Sequence, residues 1–435
     1  VNIEEFIKRR DNLLRMLGDD SIAIIANASK KARNRDVHFP FRSDSDFYYL
    51  TGFNEEDAIA VFIPGRAQGQ YILFCQEKDS KKELWDGEII GIDKAISEYL
   101  ADDAYPIDDI EEILPGLLEN RHRLYYNMGS NQFLDHHLVD WINAIKEKSR
   151  GGIHAPEKII SIDSIVHEMR LIKSKAEVAK MRKAATITAN AHRRAIKACK
   201  PNIFEYELEA EILYEIRKSG AQAAAYTSIV AGGKNGCVLH YVSNDEKLID
   251  GELVLLDAGA EFDHYAADVT RTFPVNGKFN PEQKALYQVV LKAQIAAIEM
   301  CQAGNYWNDP HEAAVQQIAE GLQGLGILKG NTEDIIKNQD YRRFFMHRTG
   351  HWLGMDVHDV GEYKIADKWR LLEPGMTLTI EPGVYIPCDT EGVDKKWHGI
   401  GIRIEDDILI ATKGHEVLTA GVPKDINSIE QMMAD

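Results

Sequence analysis

The stretch Leu253-Val254-Leu255-Leu256-Asp257-Ala258-Gly259, and the answering stretch Ala266-Ala267-Asp268-Val269-Thr270-Arg271-Thr272-Phe273, read as two apolar strands, each interrupted by an aspartate. A turn near Glu261 to His264 makes them a hairpin. Counting outward from that turn, Asp257 and Asp268 are expected to face each other, with Cβ atoms ~4.5–5.5 Å apart. Period-two alternation puts Asp268, Thr270 and Thr272 on one face and Val269 and Phe273 on the other. A charge inside so apolar a strand is costly unless it is paired or bound to a metal. Two unneutralised carboxylates side by side require a raised pKa or a cation between them.

The same pattern recurs downstream. Thr377, Thr379 and Glu381 alternate with Met376, Leu378 and Ile380, and Arg403 and Glu405 alternate with Ile402 and Ile404. Glu381 and Glu405 are equidistant from Val393, so they too are expected to pair across a connection. In an acidic protein such oppositions are often no more than solvated surface, but these acids interrupt LVLLDAG and MTLTIEPG, where solvation is unavailable. Imidazoles are concentrated nearby in sequence. His347, His351 and His358 lie in HRTGHWLGMDVHD, and His240 follows the apolar step Val238-Leu239. Four carboxylates and a neutral imidazole suit two divalent ions about 3.5–4 Å apart. Such an oxygen-rich set favours Mn2+, with Co2+, Fe2+ or Zn2+ as alternatives.

Competing chemistries lack their residues. His167-Glu168 and His415-Glu416 are not followed by the second histidine of a HExxH zinc site, and Gly232-Gly233-Lys234-Asn235-Gly236 lacks the spacing of a phosphate loop. No GxSxG nucleophile elbow occurs. The 69 acidic residues outnumber the 51 basic ones, a net charge of -18. That balance disfavours nucleic acid and anionic membrane surfaces as partners. The five cysteines are scattered and form no CxxC pair. The segment from Val1 to Leu17 is too charged for a signal peptide, and no run reaches the ~20 apolar residues of a membrane span. A reducing, cytoplasmic setting is expected.

The 435 residues suggest two or three domains. Strand-like runs at 21–26, 58–63 and 71–74 and a helix over 131–145 predict a small mixed α/β domain. Long helices follow. One is capped by Ser174 with Glu177 at capping-box spacing, and others start at Asn202, Asn280-Pro281 and Asp309-Pro310. The boundary is expected between residues 165 and 172, giving domains 1–168 and 169–435.

Asp257, Asp268, His351, Glu381 and Glu405, in that order and inside LLDAG, ADVTRTFP, HWLGMDVHDVG, TIEPG and GIRIEDD, resemble the dinuclear-metal peptidases of the pita-bread fold. Within that group the chain is similar to the aminopeptidase P family, the Xaa-Pro aminopeptidases. SDFYYLTGFNEEDA, VHEMRLIKS and NGCVLHY extend the likeness over most of the chain. The resemblance implies an α+β architecture: a pita-bread catalytic domain at 169–435, behind a smaller mixed α/β domain at 1–168 that shapes oligomer contacts and the pocket. It implies that Asp257 binds one metal, that Asp268 and Glu405 bridge both, and that His351 and Glu381 complete the second. Glu381 would also move the proton, with His240 and His358 as substrate-facing catalytic histidines. Tyr226, Leu239, His347 and Arg403 would line a proline pocket, and Trp85 would be supplied to it by a neighbouring subunit of a homotetramer or homodimer. The substrates implied are peptides with proline at position two.

Two positions depart from the family pattern. Arg348 stands where a glycine often follows the first histidine, and Trp85-Asp86-Gly87-Glu88-Ile89 lacks the basic residue of a WxGxR-like stretch. A Xaa-Pro dipeptidase (prolidase) would use the same metal centre. A metal-free pita-bread binding protein should lack some of the ligands, and all five are present.

Overall fold

The computed structural model describes residues 3–435, and the chain divides after Arg170. The first unit is built on a six-stranded sheet in the order Asp103–Pro106, Tyr71–Cys75, Ile59–Phe62, Ser21–Ala26, Arg123–Tyr125, Lys158–Ile160. The central pairings are antiparallel and the outer ones parallel. Ile22, Ile24, Val61, Ile72 and Phe74 pack against Leu114 and Leu118 of the helix Ile110–Leu118 and against Leu134, Leu138 and Trp141 of the helix Gln132–Glu147. Burying each such side chain contributes ~1.5–3 kcal/mol, so the alternating apolar runs fix this sheet.

The unit from Leu171 onward opens with the helix Lys175–Ala198. Its start is set by a reciprocal capping box, in which Ser174 Oγ accepts the Glu177 N–H and Glu177 accepts the Ser174 N–H. The next helix is Glu205–Lys218, three residues later than the expected start. Asn202, the expected cap, is held in the left-handed region at φ 72°, and the chain needs those residues to turn before the helix begins. Asn280 caps Pro281–Glu299 as expected, and Asp309–Gly324 follows.

The first hairpin pairs Leu253–Asp257 with Thr270–Pro274, while Ile229–Gly232 flanks the outer edge. Here the expected register is corrected. Asp257 lies opposite Thr270, and Asp268 is displaced by two residues, a diagonal neighbour on the same face. The cause is the turn. It is centred on Asp263-His264, both at positive φ (52° and 67°), one residue later than the centre read from sequence. The glycine between the two aspartates is required by close approach: a Cβ on Gly259 would lie 1.7 Å from the Ala267 carbonyl oxygen.

The second hairpin keeps one register throughout. Thr377–Ile380 pairs with Asp406–Ile410, and Gly383–Ile386 pairs with Ile400–Arg403. Between these ladders, the same counting places Glu381 opposite Glu405, as expected. The hairpins then meet edge to edge: Glu405 N–H donates to Thr270 O at 3.1 Å, and Thr272 Oγ1 donates to Arg403 O at 3.0 Å. Residues 349–353 add a further edge, with Glu381 N–H donating to Thr349 O and Thr379 N–H to His351 O. Val254, Leu256, Phe273, Leu378, Ile380, Ile402 and Ile404 turn to the helices and share a core with Leu286, Tyr287 and Val290. The acids therefore share the opposite face.

Candidate metal centre

A buried ion pair locks the junction of the hairpins. Arg271 Nη2 is 2.7 Å from Asp406 Oδ1, both fully buried, and its remaining donors reach carbonyl oxygens of Thr270, Glu405, Val422 and Pro423. Lys424, Gln294 and Thr419 complete the shell of Asp406. Removing one partner of such a pair costs ~3–5 kcal/mol, so the strands carrying Asp268 and Glu405 are held rigidly together.

Above this support the acids converge. Asp268, His351 and Glu405 each place a ligand atom within 4.8 Å of the others. His351 Nε2 is 3.4 Å from Asp268 Oδ2 and 3.8 Å from Glu381 Oε1. Its Nδ1 bonds the Trp352 carbonyl at 2.9 Å, so Nε2 is the nitrogen aimed into the centre. Asp257 joins through Tyr226, whose hydroxyl lies 2.6 Å from Asp257 Oδ1 and 2.5 Å from Asp268 Oδ1. Arg403 Nη2 holds Asp257 Oδ2 at 2.6 Å, its Nε donates to Thr270 Oγ1 at 3.1 Å, and Thr270 in turn donates to Glu405 Oε2 at 2.6 Å.

Within the cluster the carboxylates act on one another at close range. Burial, with the charges of Asp268, Glu381 and Asp257, pushes Glu405 well above the ordinary carboxylate range. Burial likewise raises Glu381 to about 7, although His351 and Arg403 oppose it. Burial alone would lower His351, but the Asp268 hydrogen bond and the charges of Glu381 and Asp268 carry it up to about 9. Asp268 is held below its usual value, because His351 and Tyr226 outweigh its burial. One phenolic hydrogen cannot serve two carboxylates, so this donor set is short of positive charge. It fits divalent cations, with four carboxylates and one imidazole as donors and no thiolate among them.

The structure brings most of the expected pocket residues to the same face. His347 Nδ1 is 3.9 Å from Glu381 Oε2 and its Nε2 is 2.9 Å from Tyr385 Oη. His358 stacks edge-on against His351 with ring centroids 4.4 Å apart. His240 is exposed and lies near enough to depress the pKa of both His347 and His358, although burial is the larger cause in each. Leu239 packs on Ile229, Leu255 and Tyr385. Trp85 is in the first unit, on the helix Ser80–Asp86, and is 86% exposed beside Leu84 at 83%.

Two contributors to the site, and one separate cluster, escaped the sequence reading. Tyr385 Oη accepts from Arg403 Nη1 at 3.0 Å. Asp407 accepts the Asp268 N–H at 3.2 and 3.1 Å. Asn127, Asp163 and Arg170 surround a separate cluster of Asp46 with His167 in the first unit, where the Arg170 guanidinium, 2.7 Å from Asp46, already supplies the cation. Alternation would have found the first two: Tyr385 is in phase with Glu381, and Asp407 with Glu405.

Residues 179–412 match metallopeptidase family M24, and residues 6–125 match the aminopeptidase P, N-terminal domain. The chain belongs to family M24, in its aminopeptidase P branch, and is a metal-dependent aminopeptidase with the pita-bread fold. It is 42% identical to the Xaa-Pro aminopeptidase of Haemophilus influenzae over 99% of this chain and 97% of that protein, and 42% identical to the Xaa-Pro aminopeptidase of Escherichia coli over 100% and 98%. Among solved structures, the aminopeptidase PepP of Pseudomonas aeruginosa superposes with TM-score 0.98 at 53% identity, covering 100% of this chain and 98% of that one. Zn-substituted E. coli aminopeptidase P in complex with product superposes with TM-score 0.97 at 42% identity over 100% and 98%.

Proposed function

We infer that this chain is a Xaa-Pro aminopeptidase, releasing the first residue from peptides with proline at position two. The observation that carries the reading is the convergence of Asp257, Asp268, His351, Glu381 and Glu405 on one face of the joined hairpins. These five residues would hold two divalent ions, Mn2+ first. Such ions lower the pKa of a coordinated water and polarise the scissile carbonyl.

The chain's own groups do the rest. Glu381 takes the proton of the attacking water and delivers it to the proline nitrogen as the C–N bond breaks. His240 and His358 face the substrate; burial and its neighbours keep the His358 pKa below the ordinary histidine value, so it is a neutral donor to the developing oxyanion. Arg403 and Tyr385 fix Asp257 and His347 and leave them no freedom to turn. A Xaa-Pro amide has no N–H to offer. Selection therefore falls to the shape of the wall formed by Tyr226, Leu239, His347 and Arg403. Residues 1–168 are assigned to oligomer contacts and pocket shaping and residues 169–435 to catalysis. The exposed Leu84-Trp85 pair supports a homodimer or homotetramer, in which Trp85 reaches a neighbour's pocket. Among the described residues no helix is long and apolar enough to cross a membrane, and a cytoplasmic setting is proposed from the unpaired cysteines.

The test is a peptide panel with Mn2+, Co2+ and Zn2+. Xaa-Pro-Xaa peptides should lose their first residue, Xaa-Ala-Xaa peptides should not, and Glu381→Ala should lower turnover by ~10²–10⁴-fold. Full activity in that variant would remove Glu381 from the mechanism. Cleavage of the Xaa-Pro dipeptide alone would make the chain a prolidase.

A further inference from the structure

Arg348 follows His347, on the segment that carries both His347 and His351 along the edge of the second hairpin. Its guanidinium lies 5.0 Å from the centre of the Trp369 ring, and the Lys364 ammonium approaches the same ring at 4.4 Å. Trp369 and Lys364 belong to a short exposed hairpin, Lys364–Ile365 with Lys368–Trp369, turned by Ala366-Asp367 at positive φ. Together with Trp307, Tyr363 and the backbone of Gly350, these side chains enclose an open cavity of about 500 Å3.

The walls are stiff. The Trp307 ring is 4.6 Å from Tyr363 and 4.1 Å from Trp352, and Tyr363 stacks on Trp352 with an interplanar angle of 2°. Neither cation is consumed. Arg348 donates to the neutral Asn308 Oδ1, whose amide nitrogen holds Glu312, and that carboxylate acts on Arg348 from beyond the cavity lining; among the described residues neither Arg348 nor Lys364 takes part in an ion pair within 4.0 Å. Glu362 is an exposed carboxylate on the rim. It offsets one cation and leaves the cavity net positive, in a chain whose net charge is -18. A rigid aromatic floor under two unspent cations is a receptor for a carboxylate, held at small entropic cost.

We propose that this cavity is a subsite for an acidic residue of the peptide beyond the proline, with Arg348 and Lys364 as its cations. The assignment rests on the aminopeptidase reading above. Only one residue precedes the scissile bond, so every remaining residue must leave on the far side of the proline. His347 lies beside Glu381 and Tyr385, and Arg348 is the next residue, with its Cα ~3.8 Å away. An extended peptide advances ~3.3 Å per residue, so positions three and four are the ones to test.

The experiment uses the metal-loaded full chain and Xaa-Pro peptides in which a single Glu or Lys is moved through positions one, three and four. At low salt the wild type should favour Glu over Lys at position three or four by about tenfold in kcat/KM, about two surface ion pairs. The difference should be carried by KM and should fade at 1 M salt. Arg348→Gly should bring the ratio toward one, Arg348→Lys should keep most of it, and Lys364→Ala should reduce it. The ratio is internal to each variant, so a general loss of activity does not disturb it. Equal cleavage of Glu and Lys peptides by the wild type, an unchanged ratio in Arg348→Gly, or a preference confined to position one would overturn the proposal. Failure to cleave any Xaa-Pro peptide would instead overturn the reading beneath it.

Discussion

The hydroxyl of Tyr226 lies between Asp257 and Asp268 with one hydrogen to give, and burial and both carboxylates raise its pKa well above that of an ordinary phenol. It therefore remains a donor throughout the working pH range, orienting two carboxylates toward the space a cation fills. Glu55, in the first unit, is the opposite case. Only 8% of it is exposed, its Oε1 accepts the Ile90 N–H, and among the described residues its Oε2 has no hydrogen-bond partner. Burial raises its pKa to about 7, with Glu56 adding to the shift and Lys30 opposing it. The folded state thus holds a proton that the unfolded chain has released, and stability falls as pH rises from 4.5 to 7. Glu55→Gln should then be the more stable protein at pH 8, by about 3 kcal/mol at most, and should match the wild type near pH 4. Denaturant midpoints at the two pH values measure this, and a variant less stable at pH 8 would contradict it.

At the scale of elements, the strands that carry ligands were legible because a charge inside LVLLDAG or TIEPG has few physical explanations. Glu381 and Glu405 were paired correctly, since the ladders on both sides of Pro382 keep one count. Asp257 and Asp268 were misaligned because a two-residue turn has to be placed without error, and Asp263-His264 offers no glycine to mark it. Contributions made by long-range packing left no local signal. The Arg271–Asp406 pair joins residues 135 positions apart, and neither reads as anything but another charge. Gly259 shows how closely the first hairpin is packed. Gly259→Ala would drive a methyl into the Ala267 carbonyl and push the strands apart. We expect loss of metal binding together with several kcal/mol of stability, read by calorimetry and elemental analysis. Native-like metal content in that variant would show that the hairpin can relax without moving Asp257 from Asp268.

For the whole molecule the cluster behaves as a store of protons. In the metal-free chain Glu405 and Asp257 are raised by burial and Glu381 is raised to about 7, so stability should fall as pH climbs from 5 to 8. His351, raised to about 9, acts in the same direction, because its contribution is complete below 6.5 and is lost on approaching 9. Asp268, lowered, acts oppositely at more acid pH, and the buried His192, His311 and His347, lowered to about 4, 3 and 4, also act oppositely, but only up to about pH 6.5. Chelated protein should therefore melt lower at pH 8 than at pH 6. Mn2+ at a thousand times its Kd should restore about 4 kcal/mol and release protons into unbuffered solution. A chelated protein that gains stability with rising pH would show the cluster to be already compensated. The second hairpin has a different consequence, for engineering. Its register is set by the paired strands and not by the connection from Pro387 to Gly399. The exposed tip of that connection, residues 388–392, can be lengthened, shortened or exchanged while Glu381 stays opposite Glu405, whereas Trp397 is buried in the core and anchors the return; the tip already carries an exposed thiol, Cys388. It is thus a place to attach a reporter dye to the enzyme without redrawing the metal site.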